Sequence, residues 1–250
     1  MEMHVWCQTD VGLKRETNQD SFLFDEEIGL FMVADGMGGH RGGEVASRMA
    51  VEVVRDVIRK AVSDSKRRFS PHQLLRHAYL EASRSIYDHS QNSDLAGMGT
   101  TLVTAFFHGG ILYIGNVGDS RAYLFRPGLP DNGLLWQLTE DHSLINEQLR
   151  SGVITEFDLS RAAPKNVITR SVGFEREVQV DVIEREMQSD EMILMCSDGL
   201  SGLVSDRRIA EICSLHTPAE IVSVCVEEAK NNGGDDNVTV MVLNAGPHPN

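Results

Sequence analysis

Residues 95–118 contain no Asp, Glu, Lys or Arg, and an uncharged stretch of that length must become either a membrane helix or buried β-structure. Six glycines interrupt it. Gly109-Gly110 separates two apolar runs, residues 101–107 and 111–117, as a two-residue hairpin turn would. The segment therefore reads as an antiparallel hairpin with little contact with water, and the rest of the chain must cover it.

The covering elements are legible from periodicity. Residues 43–62 place Val45, Ala46, Met49, Ala50, Val53, Val54, Val57, Ile58 and Ala61 on one helical stripe. Ser70-Pro71-His72-Gln73 starts a second helix with an N-cap Ser, a Pro at the first turn and a Gln placed for a capping box. Thr217-Pro218-Ala219-Glu220 repeats that grammar, and Asn231-Asn232-Gly233-Gly234 ends the helix that follows. Further β-rich runs fall at 21–25, 29–34, 122–125, 178–183, 192–196 and 238–243. The helices cluster near 43–91 and 205–231 instead of alternating with strands, so the fold class is α+β, with antiparallel sheets packed together and helices outside.

No linker or low-complexity stretch divides the 250 residues, which read as one domain over 1–250. A chain of this length can bury enough surface to fold without a metal or disulfide, so a metal site here would be functional. With 37 acids against 23 bases the net charge is −14, which excludes nucleic acid and anionic lipid as natural partners. Cys7, Cys196, Cys213 and Cys225 form no CxxC pair and read as free thiols, and Met1-Glu2-Met3-His4 lacks the basic start of a signal peptide. A cytoplasmic location is the expectation.

The positions of certain aspartates carry the chemistry. Residues 29–34 form an apolar strand running into Asp35-Gly36, and residues 192–196 form another running into Ser197-Asp198-Gly199. Either could be an ordinary Asp-Gly turn. Asp119 lies in the tight Gly118-Asp119-Ser120 connection, Asp235-Asp236-Asn237 precedes a buried-looking strand, and Asp20 leads into another. Gathered at one sheet edge, such carboxylates would repel one another unless cations sat between them, which points to hard oxygen ligands for Mg²⁺ or Mn²⁺. Histidines at HExxH spacing, a Walker GxxxxGK, a GxGxxG turn (Arg41 stands where its last glycine would be) and a GxSxG elbow are all missing.

Arg15 to Asp20, VADGMGG (33–39), GTT (99–101), NVGDSRAY (116–123), LTEDHS (138–143), ITRSVG (168–173), CSDGL (196–200) and GGDDNVTV (233–240) resemble, in this order, the motifs of the metal-dependent type 2C protein phosphatases, in particular their bacterial branch. The resemblance implies an α-β-β-α sandwich and hydrolysis of phosphoserine and phosphothreonine in proteins. It also implies roles residue by residue. Asp35 bridges two metals, the Gly36 carbonyl binds one, and Asp198 and Asp236 bind the other. Asp20 holds metal-bound waters, Asp119 with Asp198 takes a weaker third ion, and Arg15 binds the phosphoryl group. Two cations would then activate a bridging water for in-line attack without a covalent intermediate.

Phosphorylated proteins and opposing Ser/Thr kinases are the implied partners, and residues 144–165 correspond to a variable flap. Met37 departs from the pattern of many eukaryotic members, which carry His there as a proton donor. His40 and His142 read as loop packing or solvent-facing, not catalytic, and Cys196 as strand core, while Thr100, Ser197 and Asn237 read as hydrogen-bonding supports. A silent phosphopeptide-binding module of the same fold and a hydrolase of small phosphate esters are the alternatives. The first should have lost one of Asp35, Asp198 or Asp236.

Overall fold

The structure, a computed structural model, describes residues 3–39, 41–64, 68–91, 94–128, 134–155 and 167–245. Its strands are β1 (His4–Asp10), β2 (Asp20–Asp25), β3 (Leu30–Met37), β4 (Gly99–Thr100), β5 (Leu102–His108), β6 (Ile111–Val117), β7 (Arg121–Arg126), β8 (Leu134–Gln137), β9 (Asp181–Glu186), β10 (Met192–Cys196) and β11 (Val238–Asn244). Its α-helices are α1 (Gly42–Ser63), α2 (Pro71–Ser90), α3 (Leu144–Arg150), α4 (Asp198–Ser201), α5 (Asp206–Leu215) and α6 (Pro218–Asn231). One sheet has the order β1-β11-β10-β7-β8 and the other β2-β3-β5-β6-β9, with β4 on β3. Every strand pairing is antiparallel.

Strand alternation explains the layering. In β3, Leu30, Met32 and Ala34 pack with the buried faces of α1 and α2, whereas Phe31 and Val33 face the other sheet. In β10, Met192, Leu194 and Cys196 pack with α5 and α6, whereas Ile193 and Met195 face inward. Both strands are apolar on each face, as a strand covered on both sides must be. The α1 stripe is buried along Ala46, Ala50, Val54, Ile58 and Ala61, and this assembles the expected α-β-β-α sandwich.

The uncharged segment is a hairpin, with β5 and β6 paired from Leu102↔Val117 to His108↔Ile111. Among the described residues no helix is long and apolar enough to cross a membrane. Several local expectations are corrected. The run at 29–34 does not stop before Asp35-Gly36, since β3 continues to Met37. β9 starts at Asp181, three residues after the expected 178. The short connection after β6 does not join paired strands, because it crosses from one sheet to the other.

Ser70 occupies the N-cap of α2 but makes no side-chain cap bond, whereas Thr217 and Glu220 complete a full capping box on α6. Gln73 is neutral, and Glu220 brings the charge that strengthens such a bond. At the end of α6 the cap residue Asn232 is not left-handed, and the positive φ falls on Gly233 and Gly234. Strands β1 and β8 and helix α3 had no clear sequence signal. β1 mixes polar and apolar residues on a sheet edge, and β8 is a mostly exposed edge of four residues.

Candidate active site

The same alternation aims the acids. Asp35 continues the inward parity of Phe31 and Val33, and Asp20 is its direct partner across β2 and β3. On the facing sheet, Ser197 continues the parity of Ile193 and Met195, and Thr239 precedes Met241 on the inward face of β11. These residues meet: the Asp20 Oδ2 accepts from Ser197 Oγ and from Thr239 Oγ1, each at 2.7 Å. The two hydroxyls tie the first sheet to the second at this end of the gap.

Asp35 is held by its backbone. Its N–H donates to Thr101 Oγ1 at 2.9 Å, and its carbonyl accepts from Thr100 Oγ1 at 2.8 Å and from the Thr101 N–H at 2.9 Å. The carboxyl is thus left to point at the gap, where it meets the carboxyl of Asp198. Asp198 is the first residue of α4, and Gly199 follows because a Cβ there would collide with the carbonyl of Asn237. Gly36 answers a similar constraint against the backbone of Gly43, which lets α1 begin beside the site. The Gly36 carbonyl lies close to Gly43.

Asp236 pairs with Arg15, Nη2 to Oδ2 at 2.7 Å, with the arginine side chain 53% exposed. Asn237 organises this corner. Its Oδ1 accepts from the Gln19 N–H at 2.7 Å, and its Nδ2 donates to the carbonyls of Val11 (2.9 Å) and Thr17 (3.0 Å). One side chain thereby pins the segment that bears Arg15 to the start of β11. Its backbone N–H also donates to Asp236 Oδ1 at 2.9 Å.

Crowding perturbs these carboxyls. Burial, and beyond it the charges of Asp198 and Asp236, raise Asp20 to about 7 despite its two hydroxyl donors. Burial with Asp198 and Asp141 raises Asp119 to about 7 against the pull of Arg121. Asp35 is raised well above the carboxylate range by burial and then by Asp20, Asp198 and Asp119, and Asp198 is raised mainly by burial. Four acids whose charged forms are disfavoured together define an electrostatic sink for cations.

The donor set can be tested for fit to hard cations. Among the described residues, the buried side-chain atoms without a hydrogen-bond partner are Oδ1 of Asp20, Asp119 and Asp198 and Oδ1 of Asn116. Three carboxylate oxygens orphaned at one place are what an oxygen-seeking cation would satisfy. No group of three or more His, Cys, Asp or Glu among the described residues is gathered tightly enough to hold one ion alone. Mg²⁺ commonly keeps several waters and takes only one or two carboxylates, so a looser set of acids can still hold it. The residues fit Mg²⁺ or Mn²⁺.

All five predicted acids lie at this end, and Arg15 lies with them. His40 and residues 156–165 of the expected flap lie outside the described residues, while residues 144–150 of that segment form α3. Of the two settings expected for His142, packing or solvent, the structure shows packing, and both ring nitrogens are engaged. Cys196 is fully buried strand core, and burial pushes its thiol well up. Thr101 and Thr239 are supporting residues that the sequence did not single out; only strand parity, once the sheets are known, would have found them.

The Protein phosphatase 2C family model matches residues 13–226. The chain belongs to the protein phosphatase 2C family. Among its relatives, the serine/threonine phosphatase stp of Listeria monocytogenes is 38% identical, over 96% of this chain and 95% of that protein. The serine/threonine phosphatase PstP/Ppp of Mycobacterium tuberculosis superposes with a TM-score of 0.87 at 32% identity, covering 98% of this chain and 99% of the other. The catalytic domain of PstP in complex with two manganese ions gives a TM-score of 0.83 at 33% identity, with 97% of each chain covered. Within this protein phosphatase 2C chain, all five acids and the arginine sit at one end of the gap between the sheets.

Proposed function

We infer that this protein is a metal-dependent protein serine/threonine phosphatase, a single domain over 1–250, using two Mg²⁺ or Mn²⁺ ions and a weaker third. The observation that carries this reading is the set of carboxylates brought from both sheets to one end of the gap, three of them with an orphaned oxygen. We assign Asp35, Gly36, Asp198 and Asp236 to the ion pair, Asp20 to its hydration shell and Asp119 with Asp198 to the third ion. Bound divalent ions would supply an activated water at neutral pH and charge neutralisation of the phosphoryl oxygens.

The chain's own residues do the rest. Arg15 is exposed enough to leave Asp236 for a phosphate dianion, and its planar fork can hold two phosphoryl oxygens. Asn237 keeps that arginine beside the acids by fixing the backbone on both of its sides. Ser197 and Thr239 orient Asp20, and the threonine pair 100–101 fixes the backbone of Asp35.

Phosphoproteins are the substrates in this reading, Ser/Thr kinases the opposing partners, and the cytoplasm the location. The reading is supported by named relatives that are serine/threonine phosphatases and by one solved with two manganese ions. The deciding experiment measures phosphate release from a phosphothreonine peptide with Mn²⁺, beside free phosphate esters. Peptide turnover abolished by chelator is the expected result. No turnover with retained peptide binding would mean a silent module, and turnover of esters alone a small-molecule hydrolase.

A further inference from the structure

We propose that His142 is a positioning residue that fastens the loop carrying Asp119 to the wall of the cleft beside the acids. This inference rests on the phosphatase reading for its kinetic meaning, though not for its geometry. His142 is 5% exposed. Its Nδ1 accepts from the Gly118 N–H at 3.0 Å, and its own backbone N–H donates to the Gly118 carbonyl at 3.0 Å. Gly118 is thus gripped from both sides by one residue, immediately before Asp119.

The grip matters because Gly118 has few alternatives. Its φ is +102°, and a Cβ there would run into Thr101, whose hydroxyl in turn accepts from the Asp35 N–H. The loop therefore turns in a conformation that only glycine tolerates readily, beside the strand end that carries Asp35. Outside the sheet ladders, the two His142 bonds hold Gly118 itself, with Asn116 Nδ2 reaching the same carbonyl at 3.4 Å and Ser120 Oγ bonded to Thr101 Oγ1 at 2.7 Å on the far side of Asp119.

The other side of the imidazole is linked to a cleft through Asp181 and Arg170. A cleft of about 600 Å³ opens next to Met37, with Ile168, Arg170, Phe174 and Glu175 among its lining. Its wall is joined to His142 through the backbone: the Thr169 N–H donates to the His142 carbonyl at 2.9 Å, and Ser143 bridges Ile168. His142 Nε2 lies 3.0 Å from Asp181 Oδ2, and Asp181 Oδ1 accepts from Arg170 Nη1 at 3.0 Å.

These contacts fix the tautomer. A backbone N–H can only donate, so Nδ1 must carry the lone pair and Nε2 the proton, which Nε2 gives to Asp181. Arg170 Nη1, 3.1 Å from Nε2, is also a donor, so its bond goes to Asp181. His142 is then a two-ended tie: an acceptor toward the Asp119 loop and a donor toward the cleft wall.

Two amide substitutions separate the ends. His142→Asn keeps an acceptor near the Nδ1 position, and His142→Gln keeps a donor near the Nε2 position. Two readouts are made without substrate: nitrogen-15 NMR of the His142 ring and the Gly118 amide in metal-free protein, and calorimetric titration with MnCl₂. The wild type should show the Nε2–H tautomer. The Gln variant should lose the hydrogen-bonded shift of the Gly118 amide and weaken its lowest-affinity Mn²⁺ step about tenfold or more, the scale on which orienting contacts act at metal sites.

The Asn variant should keep that step within about twofold but raise KM for a phosphopeptide more than for an aryl phosphate, which is too small to reach the cleft wall. An Nδ1–H tautomer, or the same Mn²⁺ titration for both variants, would overturn the proposal. Absence of phosphate release by the wild type, with tautomer and titrations as expected, would remove the phosphatase reading and leave the tie standing.

Discussion

Asp20 and Asp35 are direct partners across two antiparallel strands, and both carboxyls enter the gap between the sheets. Like charges directly opposite are destabilising in a ladder, so this pairing is a cost that the fold carries for the sake of its site.

That cost has a pH signature. Asp20 and Asp119 are raised to about 7 in the metal-free protein, so the folded state holds these protons more tightly than the unfolded chain does. Their stabilising contribution is complete below about pH 4 and is lost as the pH rises through about 7. In EDTA the melting temperature should therefore be higher at pH 5 than at pH 8, and MnCl₂ should reduce the difference. A metal-free protein that gains stability from pH 5 to pH 8 would contradict the burial of these acids.

Neutralising one acid should separate stability from activity. Asp35→Asn or Asp198→Asn should lower kcat by more than about 100-fold, beyond what loss of a supporting residue costs a metal site. The metal-free variants should nonetheless melt higher, since about 1 kcal/mol of relieved repulsion corresponds to about 2–4 °C for a domain of this size. Thermal melts in chelator beside steady-state assays in Mn²⁺ read the two effects.

Arg15 and Asp119 should fail in different ways. Arg15→Ala removes a charge-assisted contact and should raise KM about 10- to 100-fold with a smaller change in kcat. Asp119→Ala should leave the tight ion pair occupied and slow turnover. Loss of all Mn²⁺ binding in Asp119→Ala would show that the division into a tight pair and a weak third ion is wrong.

Met37 lines the cleft and cannot donate a proton. Met37→His should accelerate hydrolysis of a phosphoserine-like alkyl ester more than that of an activated aryl phosphate, whose leaving group needs little protonation. Equal gains for both substrates across pH would sink this assignment.

Gly199→Ala tests the packing behind Asp198. The added methyl meets the carbonyl of Asn237, a backbone atom that cannot swing aside. Destabilisation of about 1–3 kcal/mol is expected, and chemical denaturation measures it. A neutral result would mean that α4 can shift without disturbing β11.

The acids were legible in the sequence because each stands where an apolar run meets a turn, and the helix pairs because their apolar faces repeat at helical spacing. The supports were harder to see. The Oδ2 of Asp20 accepts from Ser197 and Thr239, about 180 and 220 residues away, and no local pattern links a carboxylate to hydroxyls at that distance. Asn237 read as a partner for Asp236, yet its amide chiefly grips residues 11–19. His142 read as packing because its two bonds run to Gly118 and Asp181, neither of which its own neighbourhood announces.

The pairing of β1 with β11, and the Asn237 bonds beside it, have a consequence for the order of folding. Arg15 and Asp236 are 221 residues apart in sequence, and the corner they share closes when Asn237 docks on Val11, Thr17 and Gln19. A contact between such distant segments costs loop-closure entropy before it rewards it, so this corner should be among the last parts of the fold to assemble, after the β5–β6 hairpin.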